Sequence, residues 1–249
     1  MLKDVLYMGD TSYGAAASYL TLAMHHAGIS FDYVPTSVSL DDSYRGGEYG
    51  LYIFSDYPAS QVSSRAANQI LTDVKSGSGL LMIGGWESFQ GSGGGYHGAP
   101  LADALPVRIS RSDDRINSAD PCCVVQCAQH QAIDGVDFTR PPTIAGFNML
   151  EAADDSDVVL EVIRYATLSV RDVFSPVTFE VKSRDPYLVF GSYGSGKTGA
   201  LASDLAPHWV GGFVDWGEDR IRIAHDDREV EVGSTYIQFV TGLIRWLAR

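Results

Sequence analysis

The segment Val5-Leu6-Tyr7-Met8-Gly9-Asp10-Thr11-Ser12 decides the class of fold. A short apolar run ends here in a cluster of turn-forming residues, as a buried strand does. Small and apolar residues then recur at three- and four-residue spacing from Ala16 to Ala27, and Gly28 follows where the C-cap glycine of a helix belongs. Together the two patterns predict one strand-helix unit.

The same unit repeats through the first 90 residues. Residues 31–34, 51–54 and 80–83 are short apolar runs that predict further strands. A second helix is predicted by an apolar stripe made of Val62, Ala66, Ile70 and Val74. Strands that are apolar throughout and alternate with helices indicate a parallel sheet covered on both faces, so we expect a doubly wound α/β arrangement.

Beyond residue 110 the pattern becomes rich in strands. The strand-like stretches are residues 122–127, 158–163, 177–181, 187–190 and 200–202. A last helix is predicted by the stripe Tyr236, Val240, Leu243 and Leu247. No Ser/Gly/Pro linker and no internal repeat divides the chain, so residues 1–249 are expected to form a single domain with β-rich additions in its C-terminal half.

A hairpin insertion is predicted at about residues 218–233, around the turn pair Asp226-Asp227. Pairing across that turn sets Ile223 opposite Val230, Ile221 opposite Val232, and Arg222 opposite Glu231. The hairpin then has one apolar face. This face either joins two copies of the chain into a homo-oligomer or covers the protein's own core, and the sequence leaves both open.

The charge balance restricts the partners. The chain has 18 basic and 31 acidic residues, a formal charge of −13, which opposes binding to nucleic acid or to an anionic membrane surface. No apolar run approaches the roughly 18 residues that cross a bilayer. The three cysteines, Cys122, Cys123 and Cys127, are too few and too clustered for a secreted disulfide framework. A cytoplasmic location with reduced thiols is expected.

The string from Gly191 to Thr198 satisfies the phosphate-loop pattern of P-loop nucleotidases. That chemistry needs a helix directly after the loop, whereas Thr198 is followed by a short strand-like run and Pro207. We expect a hairpin turn that binds no nucleotide, and a P-loop nucleotidase is the third-ranked function. Neither the glycines at 93–98 nor the cysteine cluster with His130 has the context of a cofactor or zinc site, so no cofactor and no metal are expected.

The run 80–88 passes from an apolar strand into the turn Gly84-Gly85, the position of the nucleophile elbow in α/β hydrolase-type sites. This run, with its continuation to Gly98, resembles the putative glutamine amidotransferase family of bacterial cytoplasmic proteins, a divergent branch of the class I glutamine amidotransferase-like fold. Residues 54–58, 141–142, 146–148, 194–197 and 203–209 carry further resemblance. The family implies a flavodoxin-like three-layer sandwich with a mainly parallel sheet.

The resemblance also implies how the site departs from a working amidotransferase. Enzymes of class I place a cysteine at the elbow and use a histidine as base, followed two residues later by glutamate. Here the elbow falls on Trp86, and none of the six histidines is followed by glutamate at that spacing. The resemblance therefore implies that the chain is not a glutaminase by the Cys-His mechanism, and whether any catalysis remains is open.

Candidate site residues follow the predicted strands, because ligands of open α/β sheets bind at the carboxyl ends of strands. Asp204, His208 and Glu87 are the predicted catalytic acids and bases. The predicted ligand-binding residues are Asp10, Ser12, Asp56, Trp86, Ser88, Tyr96 and His97, with the loop 91–98 free to close over the site. Carboxylates beside aromatic rings suit a small polar or sugar-like metabolite. The alternative is a non-catalytic assembly subunit in which Asp204 caps a turn and His208 is structural.

Overall fold

The computed structural model describes residues 3–46, 49–168, 177–210 and 212–248. Its strands are β1 (Lys3–Gly9), β2 (Phe31–Val34), β3 (Tyr49–Ser55), β4 (Gly79–Ile83), β5 (Val107–Arg108), β6 (Arg115–Gln126), β7 (Thr143–Asn148), β8 (Glu151–Ala152), β9 (Asp157–Leu168), β10 (Thr178–Tyr193), β11 (Gly196–Leu201), β12 (Arg220–His225) and β13 (Arg228–Gly233). Its α-helices are α1 (Ala17–His26), α2 (Ser64–Lys75), α3 (Pro207–Val210) and α4 (Ser234–Leu247). Short 3-10 turns lie at Ala59–Gln61, Pro100–Ala104, Gln131–Ile133 and Gly212–Asp215.

Nine strands form one mixed sheet in the order β2-β1-β3-β4-β11-β10-β9-β6-β7. The first five are mutually parallel, and their order matches a common doubly wound sheet. All five residues of β4 are buried, as expected for a parallel strand covered on both faces. The predicted α/β fold is confirmed, and residues 5–8, 51–54 and 80–83 lie in this parallel half.

The other half of the sheet is antiparallel. β10, β9, β6 and β7 follow β11 in antiparallel pairs, so the β-rich additions extend the same sheet and "mainly parallel" describes only its first half. The two strands predicted at 177–181 and 187–190 are one continuous strand, β10. Register shifts beside Lys182 and between Pro186 and Val189 allow this long strand to bend without ending.

The predicted helices are present with the predicted buried faces. Ser63 caps α2 by accepting a hydrogen bond from the amide of Ala66 at 3.2 Å, and Gly28 follows α1 with φ at +68°. The stripe predicted for the last helix, Tyr236, Val240, Leu243 and Leu247, is fully buried on α4. Among the described helices, none combines the length and the apolar character needed to cross a bilayer.

The phosphate-loop string forms the predicted hairpin turn between β10 and β11. Ser192 lies opposite Lys197, and Gly194 supplies the left-handed residue of the turn with φ at +63°. The Lys197 ammonium donates to the Trp246 carbonyl at 2.9 Å and lies 4.6 Å from the centre of its ring. Lys197 therefore fastens the end of α4 to this turn.

The hairpin β12-β13 has the predicted register, with Ile223 opposite Val230 and Ile221 opposite Val232. Ile223, Val230 and Val232 are buried, and both strands pack against α1. The apolar face thus covers the protein's own core. The structure therefore favours the second of the two alternatives, because Ile223, Val230 and Val232 are already buried within the chain and Ile221 is half-buried.

Candidate functional site

Three carboxylates converge at the carboxyl ends of the parallel strands. Asp10 follows β1, Asp56 follows β3, and Asp204 comes three residues after β11. Their oxygens lie within 4.8 Å of one another, and Asp10 and Asp204 are buried. Asp56 lies 46 positions after Asp10, and Asp204 lies 148 positions after Asp56. They come together here because the ends of parallel strands meet at one edge of the sheet.

The backbone at this edge is held in unusual conformations. Asp10, Thr11 and Asp56 have φ values of +50°, +64° and +45°, in the left-handed region that costs a non-glycine residue about 1–3 kcal/mol. Gly9, with φ at +118°, approaches β3 so closely that a Cβ would lie 1.6 Å from the Ser55 carbonyl oxygen. The sheet therefore stores strain where the carboxylates meet.

Asp10 is held by two hydroxyl donors. Tyr7 donates to one carboxylate oxygen, and the Ser55 hydroxyl donates to the other at 3.0 Å. Burial raises the pKa of the Asp10 carboxyl well above its ordinary value, and the negative charges of Asp204 and Asp56 raise the pKa further. Full ionisation of all three carboxyls is therefore costly unless a positive group balances them.

Asp56 is fixed by the glycine turn that follows β4. The Glu87 amide donates to Asp56 Oδ1 at 2.7 Å, and the Asp56 amide donates to the buried Ser88 hydroxyl at 3.0 Å. A Cβ at Gly85 would lie 2.0 Å from Asp56 Oδ1, so only glycine lets the turn approach the carboxylate. Burial, and then the charge of Asp56, raises the pKa of Glu87.

Sequence reasoning missed two buried residues that hold this turn. Asn148, at the end of β7, accepts from the Gly85 amide at 2.8 Å and donates to Asp114 Oδ1 at 2.7 Å. Asp114 also accepts from the Gln90 amide at 2.9 Å, and burial raises its pKa. Asn148 lies in a segment noted only for its family resemblance; nothing in the local sequence signals its pairing with Asp114.

Asp204 both joins the cluster and caps a turn. Its Oδ1 accepts from the Ala206 amide at 2.6 Å, two residues ahead, at the entry to α3. Of its predicted neighbour His208, the backbone lies in α3, and the side chain is outside the described residues. The turn-capping interpretation of Asp204 and its membership of the cluster are therefore compatible.

The remaining predicted residues lie around the cluster at different depths. Trp86 is 51% exposed, with the Arg115 guanidinium 4.3 Å from its ring centre. The Ser12 side chain is exposed, while its amide donates to the Asp10 carbonyl at 2.8 Å. His97 is exposed, and its Nδ1 lies 3.2 Å from the Ile109 carbonyl oxygen. The hydrogen bonds of His97 thus involve Ile109 and Gln90 rather than the aspartates.

The glycine loop 91–98 is packed against the protein rather than free above the site. Tyr96 is fully buried, and its hydroxyl donates to the Tyr57 carbonyl at 2.6 Å. The Gly94 carbonyl accepts from the Ala59 amide at 2.8 Å. The expectation that Tyr96 is presented to a ligand by a closing loop is wrong, because this ring is a core side chain that anchors the loop.

Two cavities lie near these elements. One of about 280 Å³ borders the cluster's own segments and is lined by Thr11, Ala15, Ala16, Tyr19 and Pro207. Another, of about 510 Å³, lies beside Asp114, Ile116 and Met149 in the antiparallel half. Neither is lined by Glu87, Ser88, His97 or Asp204, so a pocket shared by those residues stays a prediction.

Within the part of the chain that the structure describes, the aspartate cluster is the set of residues that could hold a metal ion. Three carboxylates from separate strands offer the hard oxygen ligands that Mg²⁺ and Ca²⁺ prefer. The cysteines lie elsewhere, on or beside β6 in the antiparallel half. Burial raises the pKa of each of their thiols, which disfavours the thiolate that a metal or a nucleophilic reaction needs.

The mixed sheet, with polar groups gathered at the ends of its parallel strands, defines a glutamine amidotransferase-like α/β domain. The sequence matches the family described as "Putative glutamine amidotransferase" over residues 3–223. The chain belongs to this family.

Solved structures agree with that assignment. The cytoplasmic protein STM3548 from Salmonella typhimurium is 25% identical, with 99% of each chain covered and a TM-score of 0.72. The cytoplasmic protein STM1381 from Salmonella typhimurium LT2 is 24% identical, with 99% of this chain and 100% of that chain covered and a TM-score of 0.74. Among curated proteins no match to the sequence is found.

Proposed function

We propose that the chain binds a small polar or sugar-like metabolite at the carboxyl edge of its parallel strands, through Asp10, Asp56 and Asp204. The observation that carries the proposal is the convergence of these three carboxylates within 4.8 Å. Such a cluster is costly to the fold, since it combines like charges, burial and left-handed backbone. A bound ligand that donates hydrogen bonds or carries positive charge offsets that cost.

The chemistry of the neighbours favours a hydroxyl-rich or amine-bearing compound. Ionised carboxylates accept hydrogen bonds, and a protonated Asp10 would also donate one. The adjacent cavity of about 280 Å³ suits a compound of few heavy atoms, and half-exposed Trp86 offers an apolar ring to a sugar. If the ligand is processed, Asp204 and Glu87 are the proposed acid and base, with His208 as a further proposed participant.

Glutaminase chemistry is not proposed. Class I chemistry requires a thiolate at the elbow, where this chain has Trp86. We propose instead a degenerate class I site, in a protein that works in the cytoplasm like its two named Salmonella relatives.

A thermal-shift screen of a metabolite panel tests this function, because a ligand that binds only the folded state raises Tm by mass action. The matched variant is Asp204→Asn, which keeps an oxygen for the Ala206 amide and removes the charge. Asp137→Asn is the control, since Asp137 is an exposed turn residue. A compound that raises the Tm of wild type and Asp137→Asn but not of Asp204→Asn supports the proposal.

Two results would count against it. A screen without any carboxylate-dependent ligand contradicts metabolite binding. A shift obtained with Mg²⁺ or Ca²⁺ alone, and lost in Asp204→Asn, would replace the metabolite with a cation as the occupant of the cluster.

An assembly role is the second candidate, and one observation favours it. The described strand ends of β9 and β10 carry exposed apolar side chains, among them Phe179 at 52% and Val181 at 53%. The buried hairpin β12-β13 no longer supports this role.

A further inference from the structure

Exposed apolar side chains are concentrated on one two-stranded ribbon. Of the seven large hydrophobic residues exposed in the described part of the chain, four lie at the far end of β9 and β10. They are Leu168, Val177, Phe179 and Val181. Phe179 and Val181 are two residues apart within β10, so their side chains share one face of the ribbon, and Val177 immediately precedes the strand.

The same segment has an unoccupied main-chain edge. β11 pairs with β10 only from Leu188 to Tyr193, and across the described residues no strand covers that edge from Thr178 to Pro186. Long apolar edges are usually blocked by a charge, a proline or a bulge. Here the bulge beside Lys182 leaves residues 178–181 as a short extended stretch that pairs with β9 on one side and with no described strand on the other.

We propose that residues 177–181 pair antiparallel with the same residues of a second copy of this chain, about a two-fold axis at Phe179. An antiparallel strand is self-complementary under two-fold symmetry, which makes another copy a natural occupant of the edge.

The side chains select this register. It sets Phe179 opposite Phe179 of the second copy, Val177 opposite Val181, and Glu180 opposite Thr178, whose hydroxyl can donate to the carboxylate. A register centred on Glu180 would instead oppose two like charges. A register centred on Val181 would need Lys182 in the pairing, where the bulge interrupts the strand. Charge and backbone geometry therefore favour the axis at Phe179.

The dimer is expected to be weak and dependent on salt. Five paired residues with their side chains form a contact at the small end of specific interfaces, so micromolar dissociation is expected. Each copy carries a formal charge of −13, and screening of that repulsion should tighten the dimer between about 50 and 500 mM salt.

Sedimentation of the full chain from about 5 to 500 µM tests the proposal. The variant Phe179→Glu should weaken dimerisation at least about tenfold, because it places two carboxylates opposite each other. Val38→Glu is the matched control, since Val38 is 49% exposed at a distant site, and it should dimerise as wild type does. A wild type that stays monomeric throughout, or a dimer insensitive to Phe179→Glu, overturns the proposal.

Disulfide trapping tests the register independently of affinity. In a background with Cys123→Ser and Cys127→Ser, Phe179→Cys should form a covalent dimer on mild oxidation, because residues directly opposite have Cα atoms about 4.5–5.5 Å apart. Thr178→Cys should react far less, since its own counterpart lies diagonally across the pair, about 7–8 Å away. Equal trapping at both positions would contradict an axis at Phe179.

Discussion

The two halves of the sheet differ in what they bury and what they expose. The parallel half buries its strands and gathers strained, like-charged carboxylates at its carboxyl edge. The antiparallel half leaves main-chain edge and apolar side chains exposed at the end of β10. We propose a small ligand for the first arrangement and a second copy of the chain for the second, so the two halves of one sheet are expected to bind occupants of different size.

The largest effect on stability is expected from a substitution at Gly9, at the carboxyl edge of the parallel half. Gly9→Ala should cost about 3 kcal/mol or more in the free energy of unfolding, because its Cβ would lie 1.6 Å from the Ser55 carbonyl oxygen at a φ of +118°. Chemical denaturation measures the loss. Gly14→Ala, in the loop that follows, has no atom within 4 Å of the added Cβ and should change stability little. Equal effects at the two positions would show that the edge is not tightly held.

A second change tests how the halves are joined. Asn148 ends the last strand of the antiparallel half, yet it binds Gly85 of the parallel half and the Ala202 carbonyl. Asn148→Ala should cost about 2–3 kcal/mol, since it removes the side-chain donor to the buried Asp114 Oδ1 and the acceptor for the Gly85 amide. Urea denaturation measures this loss. The control is Asn68→Ala, on the exposed face of α2, which should change stability little. A loss below about 0.5 kcal/mol would mean that the halves are joined by other contacts.

A third change concerns the sign of a pH effect. The pKa of Asp10 is higher in the folded than in the unfolded chain, so its ionisation opposes folding, and its contribution to stability falls as pH rises from about 4 through the folded pKa. Asp10→Asn should therefore be more stable than wild type at pH 8 and lose this advantage near pH 4.

Its control has the opposite sign. Asp137 in the exposed turn has a lowered pKa because the Thr139 hydroxyl and amide donate to it, so Asp137→Asn should lose stability above about pH 4. Denaturation midpoints measured between pH 4 and 8 distinguish the two variants. A wild type that gains stability through Asp10 as pH rises would contradict the strained-edge interpretation.

The smallest effect is expected at Lys197. Calorimetric titration with Mg-ATP should give no binding heat for wild type or for Lys197→Ala, because the ammonium is engaged with the Trp246 carbonyl. The variant should lose only about 0.5–1 kcal/mol of stability with the helix-end and ring contacts. Micromolar binding that disappears in Lys197→Ala would restore the nucleotide hypothesis.

The parallel half was predictable because its strands are continuous apolar runs and its helices carry an apolar stripe at three- and four-residue spacing. The strands predicted at 51–54 and 80–83 lie within the observed strands β3 and β4. The hairpin register was predictable because opposite pairs such as Ile223 and Val230 leave little choice. In β10 the polar interval 182–186 separates two predicted strands, whereas in the structure bulges carry one strand through it, and nothing in the local sequence indicates those bulges.

The candidate site was predictable only as a set of strand ends. That Asp10, Asp56 and Asp204 all follow parallel strands is readable in the sequence, whereas their approach to within 4.8 Å depends on turns with left-handed backbone. Tyr96 was misjudged because an aromatic residue among glycines has no periodic partner that would indicate burial. Asn148 and Asp114 were missed because their pairing joins positions 34 residues apart.

The glycines in the turn between β10 and β11 also have an evolutionary consequence. A Cβ at Gly196 would lie 2.2 Å from the Val74 carbonyl oxygen, and one at Gly194 would lie 2.6 Å from the carbonyl oxygen of Lys75. The close approach of the end of α2 is by itself a sufficient reason for glycine at both positions. Packing alone can therefore account for the glycines of a nucleotide-binding signature, and the element after the lysine is the better guide for classifying distant homologues.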